Sequence, residues 1–264
     1  MESESIFFNK QEALRYFRAQ PGDAQAQAAV DAAYQKLKNE LQPRFTYKKF
    51  CCDVSEEEVR LDNGTQFHSR ALARYMEDAS ELFLFGATLG SRVDMALRRI
   101  ALTSVAEAGA AQAAAAALIE TYCDDCCDAL QSKLPEGKKL KWRFSPGYGD
   151  WPLEEQKILF SVLDCAHTIG LTLTESCMMA PIKSVTAVIA ILDANAKEQK
   201  EINIHKNIEE KIPDKTENNP KNEILTETNV KENNLPSGQN GFDGQLKNKC
   251  RYCNKADCEF RRKE

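Results

Sequence analysis

Apolar residues recur at helical spacing over residues 11–18 and 23–41, with Asp23 placed to cap the second segment and Pro43 to stop it. Residues 45–54 are aromatic and β-branched enough to predict a strand. Residues 58–67 enclose Asn63-Gly64, the signal of a tight hairpin. Ser69 is placed to cap a helix running to about residue 81. Residues 82–88 form a short apolar run, which reads as a buried strand. Ser91 opens a helix to about residue 102, and residues 104–133 predict one long helix or two abutting ones. The centre of that segment, 110–117, is nearly all alanine, the best helix former and one that lets a neighbour pack close. A strand over 140–144, an amphipathic helix over 153–167 closed by Gly170, and a strand over 184–192 complete the pattern. Helices grouped around a few strands, mainly antiparallel, predict an α+β fold.

The pattern ends near residue 195. Residues 201–248 hold ten Asn and three Pro among many Glu and Lys, a composition too polar to bury a core. The expected organisation is therefore a folded domain over 1–194, a disordered polar linker over 195–248 and a cysteine-rich tail over 249–264.

The segment 142–152, Trp-Arg-Phe-Ser-Pro-Gly-Tyr-Gly-Asp-Trp-Pro, carries the most chemistry. Pro146 presets φ for the second position of a turn, and Gly147 supplies the positive φ that a type II turn needs next. Arg143 and Tyr148 then fall at the two ends of the turn. An arginine can hold a carboxylate with two parallel hydrogen bonds, and a tyrosine adds a ring face and a hydroxyl. The pair suits a small molecule carrying a carboxylate and a ring. The same residues also fit an arginine-capped surface turn.

Net charge −5 and the lack of a basic block argue against a nucleic-acid groove or a polybasic membrane patch. The longest apolar stretches fall well short of the ~20 residues of a spanning helix. The start, MESESIFFNK, lacks a signal peptide's basic and apolar regions. Ten cysteines then fit a reducing, cytoplasmic setting, in which they are core residues, metal ligands or reactive thiols.

Cys250, Cys253 and Cys258 have the spacing of a zinc or iron–sulfur knuckle, and a fourth ligand would come from elsewhere. A free, redox-active or merely exposed tail is the alternative. Cys123, Cys126 and Cys127 share one helix face and read as core, or as the source of that missing ligand. Cys51, Cys52, Cys165 and Cys177 sit in apolar contexts and read as core. His68, His167 and His205 show no ligand spacing.

Three motifs together resemble the activation (reactivation) domain of cobalamin-dependent methionine synthase. They are Arg143-Phe-Ser-Pro-Gly147-Tyr148; Ile169-Gly-Leu-Thr-Leu-Thr-Glu175-Ser176 followed by Met179-Ala-Pro181 and Ser184-Val-Thr186; and the alanine-rich helix with Glu120. The resemblance covers residues 113–192, and the first ~110 residues look like short, stand-alone bacterial relatives of that domain. It implies a domain that binds S-adenosylmethionine and supports reductive methylation of inactive cob(II)alamin carried by a partner. Positioning, rather than acid–base groups, would be its contribution. Carried over, Arg143 would clamp the ligand's carboxylate, Pro146, Gly147 and Tyr148 would line the adenosine side, and Glu120 would face its cationic end. Glu175 and Ser176 also match, with a role that can be structural.

Two departures stand beside the match. The family's early Asp-Trp has no counterpart, and its late aromatic strand is replaced by residues 186–192. No cobalamin-binding motif is present, so the corrinoid and an electron donor would belong to partners. The expected function is that of an accessory, activating subunit of a methyltransferase system in methionine biosynthesis, not a complete enzyme. Two alternatives stay open. One is a reactivator or S-adenosylmethionine-binding partner of a different corrinoid methyltransferase. The other is a redox or metal adaptor whose cysteine tail is the working part.

Overall fold

A computed structural model describes residues 6–193. The linker and cysteine tail, with His205 and Cys250, Cys253 and Cys258, lie outside the described residues, as does the expected boundary at 194.

The elements run α1 (Lys10–Tyr16), α2 (Ala24–Leu37), β1 (Arg44–Val54), β2 (Glu58–Leu61), β3 (Gln66–His68), α3 (Arg70–Tyr75), β4 (Ala79–Thr88), α4 (Ser91–Ala101), α5 (Val105–Gln131), β5 (Lys138–Leu140), α6 (Gln156–Leu163), α7 (Cys165–Ile169), β6 (Thr172–Leu173), β7 (Met179–Ala180) and β8 (Ser184–Asp193). Six strands form one antiparallel sheet in the order β3-β2-β1-β4-β8-β5, and β6 pairs with β7 separately. This is the expected α+β class.

The two central strands explain the layering. Along β4, Phe83, Phe85 and Ala87 face one core while Leu82 and Leu84 face the other. Along β8, Ala187, Ile189 and Ile191 alternate in the same way with Val188 and Ala190. Successive side chains leave a strand on opposite faces, so a near-continuous apolar run must be covered twice. Helices α1, α2, α4 and α5 cover one face, and α3, α6 and α7 the other.

Helix α5 is one continuous element of 27 residues, capped by the Ser104 side chain accepting from the Glu107 N–H. Ala110, Ala111, Ala114, Ala115 and Ala117 are buried on it, and α1, α2 and α4 pack against it. The alanine run therefore serves close approach, as its composition suggests. Asp23 and Ser69 cap α2 and α3 as expected. Among the described residues, no helix is long and apolar enough to cross a membrane.

Four expectations are corrected. Helix α3 stops at Tyr75, not near residue 81, because Asp78 takes a left-handed φ of 68° and turns the chain into β4. Glu81 therefore sits in a strand, bridging Lys49 and Lys138. Residues 153–167 form a short 3-10 turn and two helices, broken where Asp164 adopts φ 53°. Cys51 is exposed, while Cys52, Cys165 and Cys177 are buried; strand alternation separates the first two.

The fourth correction concerns the segment leading into the Arg143 turn. Strand β5 spans only Lys138–Leu140, and pairing with β8 resumes at a bridge between Phe144 and Val188. Between them the Tyr75 hydroxyl donates to the Trp142 carbonyl at 2.5 Å and accepts from the Ala190 N–H at 3.0 Å. One buried phenol thus replaces a ladder hydrogen bond, which frees the chain to leave the sheet before residue 145.

Candidate functional site

The turn forms as its residues dictate. Gly147 has φ 90°, and the Tyr148 N–H donates to the Ser145 carbonyl at 3.3 Å. The Gly147 N–H donates to the Trp151 carbonyl at 2.8 Å, closing the loop from its other side. Asp150 then ties the loop to α3. Its carboxylate accepts from the Ser69 hydroxyl at 2.5 Å, the Ala71 N–H at 2.9 Å and the Arg70 N–H at 3.1 Å, at the start of α3. Burial pushes the Asp150 carboxyl up, but those three donors outweigh it and hold it below its ordinary range.

Alternation decides where the side chains go. Trp142 and Phe144 pack in the α3–α6 layer, where Phe144 stacks on Tyr75 and on Trp151. Arg143 points the other way, into α5. Its Nη2 donates to Glu120 Oε2 at 2.7 Å, and its Nη1 to Asp124 Oδ1 at 2.5 Å. A third contact reaches Cys127 Sγ at 3.6 Å. The Arg143 side chain is 4% exposed, that of Asp124 17% and that of Glu120 31%. Glu120 and Asp124 are one helical turn apart, so a single planar guanidinium can meet both.

The structure brings Arg143 and Glu120 into direct contact with each other. Tyr148 is 46% exposed, with its ring 6.2 Å from that of Phe144. The guanidinium thus meets α5, and the phenol ring lies beside Phe144. Glu175 and Ser176 lie exposed at the tip of the β6–β7 hairpin, where the Ser176 hydroxyl meets that of Thr174 at 3.0 Å.

Sequence reasoning missed four residues around this cluster. Asp124 was legible only as the residue one turn beyond Glu120. Glu12 and Arg15 form an ion pair on α1, with Glu12 buried. Tyr16 lies near enough to Glu120 and Glu12 that, after burial, their charges are what push its hydroxyl up. These residues extend the charged cluster from α5 to α1.

Cys123, Cys126 and Cys127 are buried beside Arg143. Burial holds the Cys123 thiol well above its ordinary range and pushes Cys126 up to about 12. Neutral thiols pack here as small apolar groups and are poor metal ligands. Among the described residues, no group of three or more His, Cys, Asp or Glu could hold a metal ion. His68 and His167 are exposed, the latter 2.7 Å from Asp164.

Two cavities lie away from Arg143. An open groove of about 1160 Å³ runs between residues 54–57 and the end of α3, and a cavity of about 450 Å³ lies at the N-terminus of α4.

Comparison with known proteins bears on the fold and the sequence resemblance. Residues 120–216 match the family described as vitamin B12 dependent methionine synthase, activation domain. The matched stretch opens at Glu120 and includes the Arg143 turn, the β6–β7 hairpin and β8. No curated protein matches the chain. Among solved structures, the crystal structure of the MetH reactivation domain bound to AdoHcy aligns with a TM-score of 0.51 at 17% identity, over 67% of this chain and 68% of that one. The fold is that of this reactivation domain, and the sequence resemblance read from the three motifs holds.

Proposed function

We propose that this chain binds S-adenosylmethionine beside the Arg143 turn and acts as an activating component for a cobalamin-carrying methionine synthase. The observation that carries the reading is the contact of Arg143 with Glu120 and Asp124, placed beside a Pro-Gly-Tyr turn of the type II form. One guanidinium and two carboxylates give the cluster a net charge of about −1, a suitable environment for a ligand that is cationic at sulfur and at its amino group. The half-exposed Tyr148 ring offers a face to a purine, and the Gly147 backbone allows close approach.

S-adenosylmethionine would supply an activated methyl group on a sulfonium, and a reduced corrinoid on the partner would receive it. The chain's part is to bind and orient. Arg143 keeps further N–H donors beyond those it spends on α5, and a ligand carboxylate would use these. Glu120, the more exposed of the two acids, would turn from Arg143 toward the ligand's ammonium. The electron needed for reduction comes from a separate donor.

A second reading has one observation in its favour: Arg143 is buried and already engaged. In that reading the ion cluster is structural and the chain is a partner-binding adaptor. Calorimetry of the purified full chain with S-adenosylmethionine separates the two. The first reading expects saturable binding that Tyr148→Ala weakens without lowering the melting temperature. Absence of binding would remove it and leave the second.

A further inference from the structure

The main sheet carries an open edge that the proposed function does not use. Strand β1 pairs with β4 over Arg44–Cys51 but with β2 only over Cys52–Val54. Cys51 is the last residue served on the β2 side. Its N–H donates to Asp62 Oδ2 at 3.1 Å, and its carbonyl accepts from the Asp62 N–H at 3.0 Å. In an antiparallel sheet every second residue turns its N–H and C=O to the same edge. Lys49, Tyr47 and Phe45 therefore aim theirs as Cys51 does, and among the described residues no strand lies there to meet them. Such a row of unpaired backbone groups is a template for a further strand.

The side chains along this edge define the strand it would take. Phe45 and Tyr47 are half-buried on the α5 side, where the Phe45 ring meets that of Tyr122 edge-on at 6.4 Å. Arg44, Thr46 and Lys48 stand on the other side, where Lys48 Nζ donates to the Val162 carbonyl at 2.6 Å. Arg44 and Lys48 are exposed and four residues apart. Across neighbouring strands, β-branched residues pair well with aromatic ones, opposite charges attract, and like charges placed opposite destabilise. The edge thus matches a strand with β-branched residues on one face and two acids, four apart, on the other. Its cations disfavour a strand as basic as β1 itself.

This chain contains such a segment beyond β8. Residues 223–230 read Glu-Ile-Leu-Thr-Glu-Thr-Asn-Val. Ile224, Thr226, Thr228 and Val230 are all β-branched and share one face of an extended chain, with Glu223 and Glu227 on the other. We propose that residues 222–227 pair antiparallel with β1 over Arg44–Lys49. The register sets Glu227 opposite Arg44, Thr226 opposite Phe45, Leu225 opposite Thr46, Ile224 opposite Tyr47 and Glu223 opposite Lys48. It also sets Pro220 opposite Cys51, where Asp62 already fills the edge and a residue without an N–H forfeits no hydrogen bond. Strand β8 ends with Leu192 opposite Ala79, about 14 Å from the added strand across the sheet and about 13 Å along it. Residues 194–221 cover that distance with length to spare at ~3.3 Å per residue. A strand added to an edge is held by backbone hydrogen bonds and needs no core of its own, so the polar composition of this stretch is no obstacle.

The test is residue-resolved amide exchange on the full chain. The Phe45, Tyr47 and Lys49 amides should exchange at a rate about tenfold or more below that in a variant carrying Ile224→Pro and Thr226→Pro, which lacks the N–H groups that reach Tyr47 and Phe45. Residues 6–193 build both cores, so this variant should keep the parent's cooperative melt. Lys48→Glu should release the three amides as the prolines do. Adding Glu223→Lys to it should restore their protection, and adding Glu227→Lys should not. Equal exchange in the parent and the proline variant would overturn the proposal; slow exchange in both that depends on protein concentration would assign the edge to a second copy. Rescue by Glu227→Lys in place of Glu223→Lys would reverse the strand and overturn the register.

Discussion

Arg143→Ala tests both what holds this domain together and what it binds. The substitution removes the shared cation of a nearly buried cluster and leaves Glu120 and Asp124 facing each other one turn apart. Deleting one partner of a buried pair costs about 3–5 kcal/mol, because the remaining charge is stranded away from water. For a domain of this size each kcal/mol lowers the melting temperature by roughly 2–4 °C, so the loss should be about 6–20 °C. Urea unfolding should show a lower midpoint at unchanged slope, since the native surface is the same. A rescue isolates the cause. Arg143→Met combined with Glu120→Gln and Asp124→Asn removes every charge together, and should recover most of the stability. Ligand affinity, measured below the variant's melting transition, should fall by ~1.5–3 kcal/mol, the scale of a hydrogen bond to a charged group. Lysine at 143 should restore stability in part and affinity less, for it lacks the planar fork. An alanine variant that melts within 2–3 °C of the parent, well inside the smallest expected shift, would refute the structural half of this reasoning. Undiminished affinity in a folded variant would refute the ligand half.

Gly147→Ala should lower stability by about 1–3 kcal/mol through backbone strain alone, because its Cβ would meet only Leu153 Cδ1 at an ordinary 3.6 Å; a melt equal to the parent would mean that the turn relaxes. Asp150→Ala should cost ~1 kcal/mol, the scale of a lost helix cap. The Asp150 carboxyl is held down in the folded state, so its contribution is complete above the ordinary carboxylate pKa of about 3.9 and fades as pH falls through the lower native value. The parent and Asp150→Ala melting curves should therefore converge at acid pH, and a gap independent of pH would argue against it. Truncation after Asn195 should leave the cooperative melt and ligand binding intact, since residues 6–193 build two cores between them; a lost transition would place structural residues beyond it. Replacing Cys250, Cys253 and Cys258 by serine should abolish any metal carried by the anaerobically purified chain without changing affinity for S-adenosylmethionine. A metal-free parent would remove the knuckle reading.

What was legible in the sequence was local. Asp23, Ser69 and Ser104 marked their helix starts because a cap is a contact made within three residues. Gly147 marked its turn because positive φ is a property of one residue. The misread stretches are those where a distant partner decides. Residues 76–81 have helical composition, yet Glu81 is drawn into β4 by Lys49 and Lys138 from two other strands. Residues 140–144 look like one strand, but the Tyr75 hydroxyl, 67 positions before Trp142, takes over the ladder. The candidate site divides in the same way. The turn and its arginine could be read from 142–152, whereas the pairing of Arg143 with Asp124 could not. Nothing in a one-dimensional pattern says which face of α5 meets the residue before Phe144.

Under the proposed function, the charge cluster would serve as a ligand site and as a stabilising network with the same residues. Arg143 leaves a sheet edge at the point where pairing lapses, and alternation with Trp142 and Phe144 sends its side chain toward α5. On that side α5 offers two acids within one turn. Of these, Asp124 is the more buried and lies at 2.5 Å, and Glu120 is the more exposed and lies at 2.7 Å. An exchange in which Asp124 stays and Glu120 turns outward keeps Arg143 neutralised throughout, so no step strands a buried charge. It also confines the movement to one long side chain at the surface. Glu120→Gln should therefore weaken a cationic ligand while leaving the fold nearly unchanged, and Asp124→Asn should do the reverse. Equal effects of the two substitutions on both melting temperature and S-adenosylmethionine affinity would show that the acids act as one structural unit, with no division of labour between them.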